Sequence, residues 1–160
     1  MGKITTANSP QFPTWARILF PAIVFVVGFL FYAQTINYGY AWDDEIVIQQ
    51  NEAVQKGLEG VPELWEYRQS RRLSDQYGFR PVVLTSYALE IGFFGSKPQV
   101  SHFVNVVSFA LLCLVIFVTL TRLFGSKFYL LSFVTALVFA AHPIHVETVA
   151  NIKGLSLIHI

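Results

Sequence analysis

Apolar positions along the chain gather into three long runs. The first extends from Trp15 to Ile36, with no charge after Arg17. The second covers about 102–123, is densest from Phe103 to Leu120, and stops at Arg122. The third starts at Phe128 and stays uncharged through Val146, with Pro143 expected to end its helix. A helix rises about 1.5 Å per residue, so about 20 mostly apolar residues cross a hydrocarbon core about 30 Å thick. The runs therefore predict three transmembrane helices, at about 15–36, 102–123 and 128–143. Pro21, near the start of the first, is tolerable in a membrane helix. A fourth stretch, Pro81 to Phe94, is shorter and contains Glu90. Its Val83, Leu84, Tyr87, Ala88, Ile91 and Phe94 recur at helical spacing. This predicts a short amphipathic helix lying along the interface, with Glu90 reaching water or a partner.

Charge sets the expected orientation. Lys3 and Arg17 precede the first run, and Arg122 and Lys127 bracket the turn between the second and third. Positively charged flanks stay in the cytoplasm, which places the tail 1–14 and that turn inside and the loop 37–101 in the periplasm, lumen or exterior. All but one of the acidic residues fall in this exoplasmic loop. The first run is long and no A-x-A site follows Ala33, so it reads as a retained span rather than a cleaved signal.

Composition agrees. The chain is 54% hydrophobic and 13% charged, where a soluble domain carries about a quarter charged residues. The fold class expected is an α-helical, multi-pass integral membrane protein. A net charge of +1 without a basic stripe gives no reason to expect a nucleic-acid partner. The single cysteine, Cys113, excludes an intrachain disulfide and reads as a packing residue. The last six residues, Leu155-Ser156-Leu157-Ile158-His159-Ile160, break the preceding pattern. They match, codon for codon, a transposase adapter used in DNA library preparation. The natural frame is therefore expected to be interrupted after Gly154, leaving 15–154 as the membrane domain and 155–160 as a sequencing scar.

Candidate chemistry begins at Trp42-Asp43-Asp44-Glu45, a few residues past the first span. Adjacent carboxylates just outside a membrane are costly unless solvated, paired or used. In an extended segment Asp43 and Glu45 share one side and Asp44 the other. The competing structural reading makes Asp44 the cap of a helix beginning at Glu45. Arg80, just before the interfacial helix, suits a lipid phosphate, an interfacial ion pair or a snorkelling anchor. His142, His145 and Glu147 cluster after the third span, where a divalent metal is one option and plain interfacial placement another. His102 and Asn105, at the mouth of the second span, suit hydrogen bonds between helices. Tyr40, Trp42 and Trp65 suit interface anchors or sugar platforms. Arg68, Arg71 and Arg72 form a basic patch that suits a solvated face.

In order along the chain, several motifs resemble the start of GT-C fold glycosyltransferases. They are the acidic pair after a tight turn, Ile48 with Asn51-Glu52-Ala53-Val54, and Tyr77-Gly78-Phe79-Arg80-Pro81. Gly95, Pro98, Ser101-His102-Phe103-Val104-Asn105 and His142-Pro143-Ile144-His145-Val146-Glu147-Thr148-Val149 follow. Within that group the likeness is to the O-mannosyltransferases that carry tetratricopeptide repeats, and to their bacterial relatives. It covers Ile36 to Gly154. Family members usually carry an Arg after the Asn151-Ile152-Lys153-Gly154 stretch, where this chain has Leu155.

The resemblance implies transfer of a sugar, mannose among the options, from a polyprenyl-phosphate carrier to a protein or glycan hydroxyl at the exoplasmic face. It puts Asp43 at the first acidic position of the family's pair and so as base, with Asp44 the nearest competitor and Glu45 third. It also implies a role for Glu147 in shaping the site. Arg80, Glu147, His102 and His145 are the candidate substrate contacts, and no metal is assigned. The stretch alone is expected to be inactive, because such an enzyme builds its donor cavity from later helices. A non-catalytic scaffold whose partner-binding region lies further on is the alternative; a transporter has no intramembrane ionisable residue or repeat to support it. A reporter fused after Lys127 is expected in the cytoplasm and one inserted near Glu59 outside it. The reverse pattern would put the carboxylates in the wrong compartment and remove the site.

Overall fold

The computed structural model describes residues 12–41, 44–66 and 80–152. Every regular element among them is helical. α1 spans Thr14–Tyr32 and runs on into a 3₁₀ turn, Ala33–Asn37. A π-type turn, Glu45–Gln49, precedes three short pieces: α2 (Glu52–Gln55), a 3₁₀ turn (Gly57–Gly60) and α3 (Val61–Trp65). Then come α4 (Pro81–Phe94), α5 (Pro98–Phe124), a 3₁₀ turn (Ser126–Phe128), α6 (Tyr129–Ala141) and α7 (His145–Ala150). The chain forms two compact units, one holding the residues up to Phe31 with Phe109–His142, the other Tyr32–Ser108 with the segment from Pro143 onward.

Among the described residues two helices are long and apolar enough to cross a membrane, Thr14–Asn37 and Pro98–Phe124. The first matches the expected span. The second starts earlier than expected, because Pro98 has no N–H to lose and its fixed φ suits the first helical turn. The stretch from Pro98 to Ser101 is thus helical rather than loop. The third expected span, 128–143, contains the 13 residues of α6, shorter than a straight crossing needs. It ends where Pro143 forces His142 out of the helical region, to φ −71°, ψ 126°.

In the first unit, small residues let backbones come close. A Cβ on Gly28 would lie 3.3 Å from the Ala110 Cα and 3.4 Å from the Cys113 Sγ. Cys113 is fully buried there, a packing residue as expected. Around them Phe20 stacks on Phe133 at 4.4 Å and on Tyr129 at 5.5 Å, and Phe117 meets Tyr129 edge-on at 5.3 Å. The Tyr129 hydroxyl donates to the Ala16 carbonyl at 3.1 Å. Ile18, Leu30, Val115 and Val138 remain exposed, as lipid-facing side chains would.

The second unit has its own core. Val83, Leu84, Tyr87 and Ala88 of α4 pack on Val47, Ile48, Ala53, Val54, Leu64 and Ile152. The stripe foreseen for this helix therefore meets the unit's own short helices. Phe94 departs from it and is exposed, as are Val82, Leu89 and Phe93 on the outer side. The polar face of an amphipathic helix is missing, since α4 is apolar nearly all round and its one carboxylate, Glu90, is buried. Asn51 caps α2, its Oδ1 accepting from Val54 N at 3.3 Å.

Glycines draw this core together. Gly57 sits at φ +62°, and a Cβ on it would lie 3.0 Å from the Gly92 Cα. At Gly60 a Cβ would fall 1.8 Å from the Ala53 carbonyl oxygen, a backbone atom that cannot step aside. Gly60→Ala should destabilise this unit by about 1–3 kcal/mol or more, whereas Gly39→Ala, with open space around it, should change stability by less than about 0.5 kcal/mol. Limited proteolysis of the detergent-solubilised protein at increasing urea checks the pair. Equal resistance would contradict the contact.

Candidate functional site

After α1, Asp44 and Glu45 are tied back to Ala41. The N–H groups of Asp44 and Glu45 both donate to the Ala41 carbonyl, at 2.8 and 3.1 Å. Asp44 Oδ2 in return accepts from the Ala41 N–H at 3.1 Å. The same oxygen accepts from the Ile152 N–H at 3.4 Å, across 108 residues of sequence. Asp44 is fully buried. This departs from the competing structural reading, in which it caps the following helix. Asp44 is itself in the helical region, at φ −71°, ψ −36°, and makes no side-chain cap bond. Its carboxylate faces backward and closes the unit instead.

Ile152 is the point of convergence. Its carbonyl accepts from the Tyr87 hydroxyl at 2.7 Å and from Asn105 Nδ2 at 3.4 Å. Asn105 Nδ2 also donates to the Asn151 carbonyl at 3.0 Å. Tyr87 is almost fully buried, and its phenol is pushed well above its ordinary range by that burial, then by the charges of Glu90 and Asp44. It therefore stays a proton-bearing donor to Ile152.

His102 is buried, with Nε2 3.2 Å from the Gly39 carbonyl and its ring edge-on to Tyr38 at 6.2 Å. A carbonyl only accepts, so Nε2 carries a hydrogen. The ring's Nδ1 makes no hydrogen bond, nor do the buried Asn105 Oδ1, Asn151 Oδ1 and Glu90 Oε1. Such unpaired buried polar atoms are few in native proteins, and all of these lie in the second unit. Glu90 accepts from Ser101 Oγ at 2.5 Å, which joins α4 to the start of α5. Burial raises this carboxyl above its ordinary range, and the serine bond offsets part of the rise. The partner anticipated for Glu90 is thus a serine hydroxyl, away from water.

The other expected site residues lie nearer the surface. Arg80 is exposed immediately before α4, with its carbonyl accepting from Leu84 N at 3.0 Å. Glu147 is exposed in the first turn of α7, and His145 is half-buried at its start. Among the described residues no three His, Cys, Asp or Glu side chains are grouped so as to hold a metal, so His142, His145 and Glu147 do not form the cation site weighed for them. Trp65 Nε1 donates to Thr85 Oγ1 at 2.9 Å, and the Tyr40 hydroxyl lies 3.5 Å from Ser96 Oγ. Trp42 and Asp43 lie outside the described residues, as do Arg68, Arg71, Arg72, Tyr77-Gly78-Phe79 and 155–160.

Sequence reasoning missed Tyr87, Ser101 and the Ile152 peptide as parts of this polar centre. Tyr87 counted as a member of an apolar stripe, and its hydroxyl was the available signal. The backbone of Ile152 carried none.

No family model matches the chain, and no solved structure gives a significant match. Among curated proteins it is 32% identical over 131 residues to human Protein O-mannosyl-transferase TMTC1, covering 78% of this chain and 14% of that protein. The mouse protein of the same name is 42% identical over 77 residues, 48% of this chain and 8% of its own length. Protein O-mannosyl-transferase tmtc2 of Xenopus laevis is 29% identical over 135 residues, 80% of this chain and 15% of the relative. The chain thus spans about one seventh of the longer of these matches' lengths.

Tyr87→Phe keeps the ring in the core and removes only the donor to Ile152. It should lower the stability of the second unit by about 1–2 kcal/mol, against less than about 0.5 kcal/mol for Tyr40→Phe. Denaturant unfolding of the solubilised protein followed by tryptophan fluorescence tests this. Equal losses would remove Ile152 as the point of convergence.

Proposed function

Starting from homology to the protein O-mannosyl-transferases named TMTC, we propose that this chain forms part of a membrane glycosyltransferase of the mannosyl kind. The observation that carries the proposal is that homology, which spans most of the chain and includes the acidic turn. In this reading the enzyme has a GT-C architecture, the loop 37–101 faces the exoplasm, and the donor is a polyprenyl-phosphate sugar. The acceptor is a protein hydroxyl. The stretch is inactive by itself, since it represents a small part of such an enzyme.

Chemically, the acceptor hydroxyl attacks the anomeric carbon while a carboxylate takes its proton, and the carrier leaves as a phosphate. Because the leaving group is already an anion of a strong acid, no general acid is required and the transfer inverts in one step. Glycoside hydrolysis, by contrast, uses two carboxyl groups. Asp43 is the base. The position of Asp44 supports this division of labour, since one of its oxygens already accepts two backbone N–H groups. Asp44 thereby ties Ala41 to Ile152. Arg80 pairs with the carrier phosphate through its guanidinium fork. His102, through its uncommitted Nδ1, with His145 and Glu147, orients the acceptor.

A scaffold without activity would use Asp44 in the same way, and substitution separates the two readings. In the full-length protein Asp43→Asn should lower sugar transfer to an acceptor peptide by about 10²–10⁴-fold while insertion and donor binding persist. Asp44→Asn should cost less activity and about 1 kcal/mol of stability. Equal and small losses in both variants would leave the scaffold standing. A large loss at Asp44 alone would keep the chemistry and move the base by one residue.

A further inference from the structure

The first unit contains a cavity of about 600 Å³ that plays no part in the transfer proposed above. That volume lies in the range of small-molecule sites, roughly 300–1,000 Å³. Its lining is divided in kind. Arg17 and Arg122 contribute two guanidinium groups and Ser126 a hydroxyl, while Phe12, Phe117 and Val118 supply an apolar wall. Among the described residues no Asp or Glu lines it. The other two hydroxyls in the lining are committed to backbone carbonyls, Thr121 to Phe117 at 2.8 Å and Tyr129 to Ala16 at 3.1 Å. Positive charge is therefore the dominant polar feature of the cavity.

Arg17 belongs to the beginning of α1 and Arg122 to the last turn of α5, the two helices long and apolar enough to cross a membrane. Both arginines thus stand at helix ends, at the depth of lipid headgroups, beside a wall that suits an acyl chain. A guanidinium fork matches a phosphate with two parallel N–H···O bonds. With two guanidinium groups and no carboxylate among the described lining residues, a headgroup with net negative charge fits better than a zwitterionic one. We propose that this cavity holds the headgroup phosphate of an anionic bilayer phospholipid, clamped between Arg17 and Arg122 with an acyl chain against Phe117 and Val118. By the orientation read from the flanking charges, the leaflet concerned is the cytoplasmic one, where basic pockets between membrane helices bind anionic headgroups.

The test uses full-length protein extracted from vesicles of phosphatidylcholine with phosphatidylglycerol and weighed by native mass spectrometry. Phosphatidylglycerol should be retained roughly tenfold or more over phosphatidylcholine. The Arg17→Gln/Arg122→Gln variant should fall to the phosphatidylcholine level, and Lys127→Gln, outside the lining, should not. Val118→Trp keeps both charges but fills the cavity, and should abolish the preference as fully. That second variant and the unaltered protein decide the matter if the double variant fails to insert. Millimolar inorganic phosphate should not displace the lipid; if it does, the site takes a free anion and the proposal is overturned. Equal retention of the two lipids, or retention unchanged in Val118→Trp, overturns it as well.

Discussion

Ile152 contributes one N–H and one C=O to the second unit, and both are taken by groups remote in sequence. Asp44 holds the N–H, while Tyr87 and Asn105 hold the carbonyl. A buried peptide left without partners costs about 1–3 kcal/mol per group, so these bonds are constraints on where the three segments can lie. The turn after α1, the middle of α4 and the start of α5 all take their places from this one peptide. The apolar contacts of Val47, Ile48, Val54 and Leu64 against α4 supply area, but apolar burial is non-directional and would tolerate small slips that the hydrogen bonds do not.

This arrangement assigns different work to neighbouring carboxylates. Asp44 is spent on geometry, as its two N–H donors show, and the catalytic proposal rests on Asp43 beside it. The two roles call for opposite surroundings. A structural carboxylate is best buried and saturated with donors, whereas a base must keep a lone pair facing the acceptor. One residue filling both roles would compromise each. In the same unit the His102 ring is fixed by the Gly39 carbonyl through one nitrogen while the other stays uncommitted, a comparable division within a single side chain.

Much of the fold was legible in the sequence, and the limits have physical causes. The first span and the bounds of the Pro81–Phe94 helix follow from uninterrupted hydropathy and from prolines that fix helix starts. The start of α5 is expected near 102 because Ser101 and the residues before it read as loop by polarity, although Ser101 is held by a tertiary bond to Glu90. The capping role weighed for Asp44 failed for a related reason. Local capping competes with long-range pairing, and a partner 108 residues away leaves no mark in a local pattern. Periodicity likewise identified the buried face of α4 but not that the opposite face is apolar too. Of the candidate site, Asp44 and His102 were both visible as residue types, while the backbone groups that hold them were not.

The bond between Asp44 and Ile152 also bears on how the protein is made. The unit it closes is assembled from two stretches of chain with most of α5 and all of α6 lying between them. Synthesis at about 5–20 residues per second puts roughly 5–20 s between the emergence of the aspartate and that of its partner. During that interval the loop helices emerge without the peptide that locks them, and Asp44, then Tyr87 and Asn105, have no Ile152 to bind. Closure of this unit is therefore a late event in biogenesis, and the interval before it is when a chaperone or a protease would meet the loop unfastened.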